Sequence, residues 1–178
     1  LPRVAVISTG DELVEPQELP KISQIRNSNA AQMMAQLQTI GIQGRYIGIA
    51  KDSPESTRQM LEEALDNSDM VLLSGGVSMG EFDFVPEILQ EKGIQILFKS
   101  LAVQPGRPTV FGRKEKQFFF GLPGNPVSSF VQLELLVKPL LYKMMGYNYK
   151  ALALKLPIGI EFNRKKAMRK SYIPIYIN

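Results

Sequence analysis

The residues best able to do chemistry lie in four glycine- and proline-containing segments, at 9–12, 74–83, 105–108 and 121–126. Segment 74–83 has the sequence SGGVSMGEFD, in which adjacent glycines are flanked by serines and acids. Glycines let backbone N–H groups approach an anion closely, and serine hydroxyls and a following helix N-terminus add donors. The segment lacks the Gly-Lys-Ser/Thr ending of a Walker loop and the spaced glycines of a dinucleotide loop. It therefore predicts a site for phosphate or another oxyanion, with a tight structural turn as the alternative.

Carboxylates occur in and around the same segments. They are Asp11, Glu12, Asp52, Glu81 and Asp83. Acids beside a bound anion repel it unless a cation lies between them, and proteins commonly hold Mg²⁺ with one or two carboxylates plus substrate phosphates. We therefore expect a Mg²⁺ site next to the oxyanion site. Taken singly, each acid has a turn or helix-cap role as its alternative.

The two remaining segments offer a guanidinium and a helix start. Arg107 lies between Gly106 and Pro108 in a stiff turn, which suits a guanidinium that binds an oxyanion through two nitrogens. Its alternative is an ordinary surface arginine. Prolines in segment 121–126 fix the chain so that Asn125 and Ser128 begin a helix, and a simple N-cap is the alternative there.

Apolar runs of strand length alternate along the chain with segments in which apolar residues recur at helical spacing. Strands are predicted at 4–8, 46–50, 70–73, 94–98, 109–111 and 118–120. Helices are predicted to begin at Asn27, Ser28 or Asn29, at Ser53-Pro54, near Val85 and at Asn125-Pro126. This alternation predicts an α/β fold with a mostly parallel sheet and helices on both faces. Right-handed crossovers then place the strand-to-helix loops along one edge of the sheet, where ligands bind.

Composition removes several classes of site. The chain has no cysteine and no histidine, which excludes Ser-His-Asp triads and thiolate or imidazole metal sites. Basic residues crowd into 164–170, and we interpret them as a solvated loop rather than a polyanion-binding patch. With no long apolar run and no signal-peptide pattern, we expect a cytoplasmic protein with neither membrane nor nucleic acid as a partner. Residues 1–150 are expected to form the α/β domain, and 151–178 to begin a second, β-rich domain that is truncated.

The strings STGDELVEP, QIRNSN, SGGVSMGEFDFV, PGRPTVFG and GLPGNPVSSF follow one another in register over residues 3–146. In this the chain resembles the central domain of the MoeA family, which includes the gephyrin E domain. The resemblance implies a three-layer α/β/α sandwich like that of MogA. It implies a transferase that binds adenylylated molybdopterin and inserts molybdate with Mg²⁺-dependent hydrolysis of the adenylate. It also implies a homodimer whose cleft the partner subunit completes, a MogA-type adenylyltransferase as a partner, and poor activity of this chain without the family's N-terminal domains.

The resemblance also implies roles for residues in the matching motifs. Glu12, Asp52 and Asp83 match acids important for activity and are the predicted metal ligands, while Ser78, Arg107 and Ser128 match the lining of the molybdate and phosphate pocket. The other predicted ligand-binding residues are Thr9, Gly10, Asp11, Asn27, Ser74, Gly75, Gly76, Gly80, Pro105, Gly106, Pro108, Pro123, Gly124 and Asn125. Gln104 and Ser100 stand where the family often has lysines, so either molybdate binds weakly or Lys99 supplies the missing positive charge.

Two other functions stay open. A MogA-type adenylyltransferase shares the implied fold, but it would be expected to have a Gly-Gly-Thr-Gly loop and to lack GLPGNP, whereas this chain has Gly75-Gly76-Val77-Ser78 and GLPGNP. A non-catalytic scaffold, the second use of gephyrin's E domain, is not excluded by any residue. Turnover by the full-length protein would separate scaffold from enzyme.

Overall fold

The computed structural model of the protein describes residues 1–76, 84–159, 161 and 169–175. Its strands, numbered β1 to β10 in chain order, are Val4–Thr9, Leu13–Val14, Ile25–Arg26, Arg45–Ala50, Met70–Ser74, Gln95–Phe98, Val103–Gln104, Val110–Lys114, Gln117–Leu122 and Lys170–Ser171. Its α-helices, numbered α1 to α5, are Ser28–Thr39, Pro54–Asp66, Val85–Glu91, Pro126–Gln132 and Lys138–Met144. None of these helices is long and apolar enough to cross a membrane.

Six strands form the central sheet, in the order β4-β1-β5-β9-β8-β6. Strands β4, β1, β5 and β9 run parallel, whereas β8 is antiparallel to both β9 and β6. The predicted mostly parallel α/β fold is therefore confirmed. Because β4, β1, β5 and β9 run in the same direction, their carboxyl ends all lie at one edge of the sheet.

Two apolar layers cover the two faces of the sheet, because successive side chains along a strand point to opposite faces. In β1, Ala5 and Ile7 pack with residues of α2 and α3. Val4 and Val6 pack with residues of α1 and α5 on the other face. The strands are consequently buried on both sides, and the expected three-layer arrangement is observed.

Helix starts follow the predicted caps. The Asn27 side chain accepts a hydrogen bond from the backbone N–H of Ala30 at 3.2 Å, which identifies the cap of α1 among three candidates. Ser53 caps α2 ahead of Pro54, and Asn125 caps α4. Each cap satisfies a backbone N–H that the helix leaves without a partner.

The last helical run is unbroken from Pro126 to Met144, as predicted, but it is not α-helical throughout. A π-helical turn at Leu133–Val137 separates α4 from α5. Pro139 follows directly in the chain, and a proline inside a helix has no N–H to donate to the preceding turn. A widened turn next to proline accommodates that missing bond.

The described residues of the C-terminal part contain little strand, whereas a β-rich segment was expected at 151–178. Residues 147–159 form no helix or strand, and the side chains of Leu152, Leu154 and Leu156 are exposed. A strand needs a neighbour for its backbone groups, and the described residues place none beside this stretch. Further on, β10 pairs in parallel with β7, so Lys170–Ser171 adds to the α/β domain. The division at residue 150 stays a prediction.

Candidate functional site

A cleft of about 600 Å³ lies at the carboxyl ends of β1, β5 and β9. Its described lining is Thr9, Gly10, Glu12, Leu13, Ile25, Arg26, Asn27, Ser28, Asn29, Asp52, Ser74, Gly75, Gly76, Pro108, Pro123, Gly124, Asn125, Pro126 and Ser128. The N-termini of α1 and α4 both open into this cleft, and helix N-termini favour anions because their N–H groups are free and their dipoles are positive there.

The double glycine brings the ends of two strands into close contact. Gly75 has φ +88° and Gly76 has φ +61°, a region of backbone conformation that residues other than glycine rarely adopt. A Cβ on Gly75 would lie 2.6 Å from the carbonyl oxygen of Thr9. The Gly75 N–H donates to the carbonyl of Leu122 at 3.1 Å, which holds the loop against β9. Glycine at position 75 is therefore required by both conformation and space.

Asn29 joins three parts of the cleft through its side-chain amide. Its Nδ2 donates to Oγ of Ser74 at 2.7 Å and to the carbonyl of Gly124 at 2.7 Å. A carbonyl only accepts, so the nitrogen must be the atom that faces Gly124, and this fixes the orientation of the amide. The side chain thus ties the start of α1 to the end of β5 and to the loop before α4.

Asn27 is the buried end of a chain of polar side chains that continues through the partly buried Tyr46 and Glu15. Its Oδ1 also accepts from Oγ of Ser8 at 3.0 Å, and its Nδ2 donates to the Tyr46 hydroxyl at 2.9 Å. That hydroxyl in turn donates to Oε1 of Glu15 at 2.8 Å. Burial, and then the hydrogen bond to Glu15, raise the pKa of Tyr46 above its usual range, so the phenol stays a neutral donor. The chain holds Asn27 in one orientation.

Two of the predicted acids, Glu12 and Asp52, lie on the cleft wall. Asp52 exchanges hydrogen bonds with Asp11, whose carboxylate accepts from the Asp52 N–H at 3.1 Å, while the Asp11 N–H lies 3.4 Å from Oδ2 of Asp52. A Cβ on Gly10 would come within 2.6 Å of Oε2 of Glu12, so that carboxylate lies over the glycine.

The carboxylates of Glu12 and Asp52 are donors that this cleft offers to a metal ion. Within the described ranges, no group of three or more carboxylates could hold a metal ion. Mg²⁺ usually takes one or two protein carboxylates and completes its shell with water and substrate phosphate. Glu12 and Asp52 on one cleft wall fit that smaller requirement.

Several predicted site residues lie elsewhere or cannot be placed. Asp11, Lys99, Pro105, Gly106 and Arg107 do not line the cleft, although Pro108 does. Predicted site residues outside the described part of the chain are Ser78, Gly80 and Asp83, as is the candidate acid Glu81. The assigned roles of all these residues stay predictions.

The segment that carries Arg107 is anchored from α4. Nε2 of Gln132 donates to the carbonyl of Pro105 at 2.9 Å, and Oγ1 of Thr109 donates to the carbonyl of Gly106 at 2.9 Å. Gly106 packs directly on the Gln132 side chain, which leaves no room for a Cβ. Arg107 itself is exposed beside this anchored turn.

Sequence reasoning gives a ligand-binding role to none of three polar residues of the cleft wall, Arg26, Ser28 and Asn29. Ser28 and Asn29 are predicted only as candidate helix caps, and no role is predicted for Arg26. All three belong to the QIRNSN string. The dense polar composition of that string is the signal that could have identified them.

The chain is similar to known proteins of molybdenum cofactor biosynthesis. The model of the family described as probable molybdopterin binding domain matches residues 5–143. Molybdopterin molybdenumtransferase from Staphylococcus epidermidis is 39% identical over 145 residues, which are 82% of this chain and 35% of that protein. The enzyme of the same name from Staphylococcus aureus is 37% identical over the same shares. The chain therefore spans about a third of the length of these curated relatives.

Solved structures agree with this. A molybdopterin biosynthesis moeA protein from Pyrococcus horikoshii superposes with a TM-score of 0.73 at 36% identity, over 82% of this chain and 36% of that one. The molybdopterin biosynthesis enzyme MoaB from Thermus thermophilus superposes with a TM-score of 0.58 at 18% identity, over 84% of this chain and 100% of that one. The second likeness shows a shared fold alone.

Proposed function

The chain belongs to the family of probable molybdopterin binding domains, and from that premise we propose that it forms the substrate-binding part of a molybdopterin molybdenumtransferase. The observation that carries this proposal is the cleft at the carboxyl ends of β1, β5 and β9. There a double glycine, two helix N-termini and two carboxylates face the same space. This combination suits a ligand with both a heterocycle and a phosphate.

The proposed ligand is adenylylated molybdopterin. The backbone around Gly75 and Gly76 and the N-terminus of α4 would receive its phosphates, with hydroxyls of Thr9, Ser74 and Ser128 as further donors. These hydroxyl residues line the cleft, and Thr9 Oγ1 is buried without a hydrogen-bond partner among the described atoms. A buried unpaired hydroxyl costs free energy, so a ligand that pairs with it gains binding energy.

The proposed reaction is insertion of molybdate, coupled to hydrolysis of the adenylate. Glu12 and Asp52 would hold Mg²⁺ at the cleft wall, together with the predicted ligand Asp83. The bound metal would neutralise negative charge on the phosphates. The protein's own part is to orient the ligand between the glycine loop and α4, and to keep the two carboxylates apart from the anion-binding backbone.

We also propose the setting in which the full-length protein works. It would be a cytoplasmic homodimer that receives its substrate from a MogA-type adenylyltransferase, since an adenylylated ligand must first be adenylylated. Residues 151–178 would begin a second, β-rich domain. The exposed side chains of Leu152, Leu154 and Leu156 support this, because an alternating apolar face needs another layer to cover it.

Calorimetric titration with adenylylated molybdopterin, with and without Mg²⁺, tests the proposal. We expect saturable binding that Mg²⁺ strengthens. Asp52→Asn keeps an acceptor for the Asp11 N–H but removes the charge, so it should weaken Mg²⁺-dependent binding roughly tenfold or more. Asp66→Asn is the matched control, because Asp66 is exposed at the far end of α2.

Two results would count against the proposal. Equal binding by Asp52→Asn and the parent would remove Asp52 from the metal site. Absence of binding by both this chain and the full-length protein would overturn the molybdopterin assignment and favour a scaffold.

A further inference from the structure

Arg26 is the only lysine or arginine among the described residues that line the cleft. The other charged residues of that lining are Glu12 and Asp52, so without Arg26 the wall would carry only negative charge. Even where a metal ion bridges the two carboxylates and the anion, a cation of the protein in the same lining adds to the attraction for the anion. Arg107, the arginine for which the sequence predicted this role, does not line the cleft.

The backbone holds Arg26 rigidly at this wall. Strands β2 and β3 pair in parallel, with Val14 opposite Arg26. The N–H of Ile25 donates to the carbonyl of Glu12 at 2.8 Å, and the N–H of Asn27 donates to the carbonyl of Val14 at 2.9 Å. Both neighbours of Arg26 are thus hydrogen-bonded to the segment that follows β1. A residue fixed in this way loses little conformational entropy when it binds a ligand.

The side chain is anchored at one nitrogen and open at the others. Nε of Arg26 donates to the carbonyl of Pro16 at 3.0 Å. Among the described residues, no carboxylate pairs with its guanidinium, unlike the guanidinium groups of Arg3, Arg45 and Arg58. Arg26 is also exposed, so its terminal nitrogens can be reached from the cleft. A planar guanidinium with two free terminal nitrogens matches two oxygens of a tetrahedral oxyanion.

We propose that Arg26 binds a tetrahedral oxyanion in the cleft, beside the start of α1. The oxyanion is either the phosphate ester of the ligand or a free inorganic oxyanion such as molybdate, and both present the same geometry to the guanidinium. The proposal deepens the proposed function and rests on it only for the identity of the ligand.

Arginine side-chain NMR of the intact 178-residue chain provides the test. The Nε–Hε resonance of Arg26, assigned by its loss in Arg26→Lys, is followed during titration with adenosine monophosphate, molybdate, inorganic phosphate and adenosine. The expected result is a saturable shift with at least one of the anions and no shift with adenosine. Arg45, which is exposed and pairs with Glu63 away from the cleft, serves as the internal reference.

Affinities of two alanine variants complete the experiment. Arg26→Ala should bind the responding anion roughly 10- to 100-fold more weakly, the scale of a charge-assisted hydrogen bond. Arg45→Ala removes the same charge from a chain of net charge +4 and should change that affinity less than about twofold. A response to adenosine monophosphate alone identifies a phosphate ester as the source, and a response to molybdate alone identifies the inorganic oxyanion.

The proposal is overturned if no anion shifts the Arg26 resonance saturably, if adenosine shifts it equally, or if Arg45→Ala loses as much affinity as Arg26→Ala. These results are independent of the proposed function. If Arg26 binds the anions while adenylylated molybdopterin fails to bind, the oxyanion site stands and the molybdopterin assignment falls.

Discussion

Replacing Gly75 by alanine should destabilise the protein more than its backbone conformation alone would require. Gly75 has φ +88°, and an added Cβ would lie 2.6 Å from the Thr9 carbonyl oxygen and 2.8 Å from Thr9 Oγ1. The nearer atom belongs to the backbone of β1, which is buried and paired on both sides. Relief of the clash therefore requires the ends of β1 and β5 to move apart at the cleft.

Two contributions add up in this variant. A left-handed conformation costs alanine about 1–2 kcal/mol relative to glycine. Forcing an extra methyl group into a packed site costs a further ~1–3 kcal/mol. We thus expect Gly75→Ala to lower the free energy of unfolding by about 2–5 kcal/mol. Gly146→Ala isolates the first contribution, because Gly146 has φ +84° and a Cβ added there would meet no atom within 4 Å.

Urea unfolding followed by far-ultraviolet circular dichroism measures both variants, and the chain contains no tryptophan that would favour fluorescence. The difference between the two variants is the cost of the close contact with Thr9. If Gly75→Ala and Gly146→Ala lose the same stability within about 0.5 kcal/mol, the contact between β1 and the glycine loop is not as tight as the geometry requires. Gly41→Ala, with φ +77° and equally open space, repeats the control.

Changes at three further residues have distinct expected results. Asn29→Ala should lower the free energy of unfolding in urea by about 1–3 kcal/mol, because the buried Ser74 hydroxyl and the part-buried Gly124 carbonyl lose their donor. Asn29→Asp should cost at least as much, since its carboxylate would face the Gly124 carbonyl, and a milder effect would contradict the assigned orientation. The Arg3 guanidinium lowers the pKa of the Asp69 carboxyl, so the stability advantage of the parent over Asp69→Asn should persist above the unfolded pKa of about 3.9 and disappear as pH falls further. The side chains of Arg3 and Asp69 are 66% and 37% exposed, so that advantage should stay below about 1 kcal/mol. If the difference in unfolding free energy between the parent and Asp69→Asn stays constant down to acid pH, the pairing is refuted. Arg107 does not line the cleft, so Arg107→Ala should weaken oxyanion binding in calorimetry less than Arg26→Ala does, and a loss of ~1.5–3 kcal/mol would restore the role that the sequence predicted for Arg107.

Local signals in the sequence were enough to predict most elements and much of the cleft. Alternating apolar runs located β1, β4, β5 and β9, and cap residues located the starts of α2 and α4. Ser53 and Asn125 could be recognised because a cap bonds to a backbone N–H only three residues away. The glycine loops could be placed at one edge because parallel strands connected by right-handed crossovers must end on the same side. Segments 9–12 and 121–126 meet there as expected.

Long-range contacts were decided only by the tertiary structure. The antiparallel pairing of β6 with β8, the short ladder between β2 and β3, and the pairing of β10 with β7 join segments whose own sequences do not specify a partner. The roles of Arg26 and Asn29 belong to the same class, because the partners of Asn29 lie 45 and 95 residues away in the chain. The placement of Arg107 outside the cleft also depends on packing, since the Gln132 side chain fixes the direction of its turn. Periodicity, capping and turn chemistry act over a few residues, so they can be recognised in the sequence. The direction of a side chain toward a distant loop is set by the packing of the whole sheet and its helices.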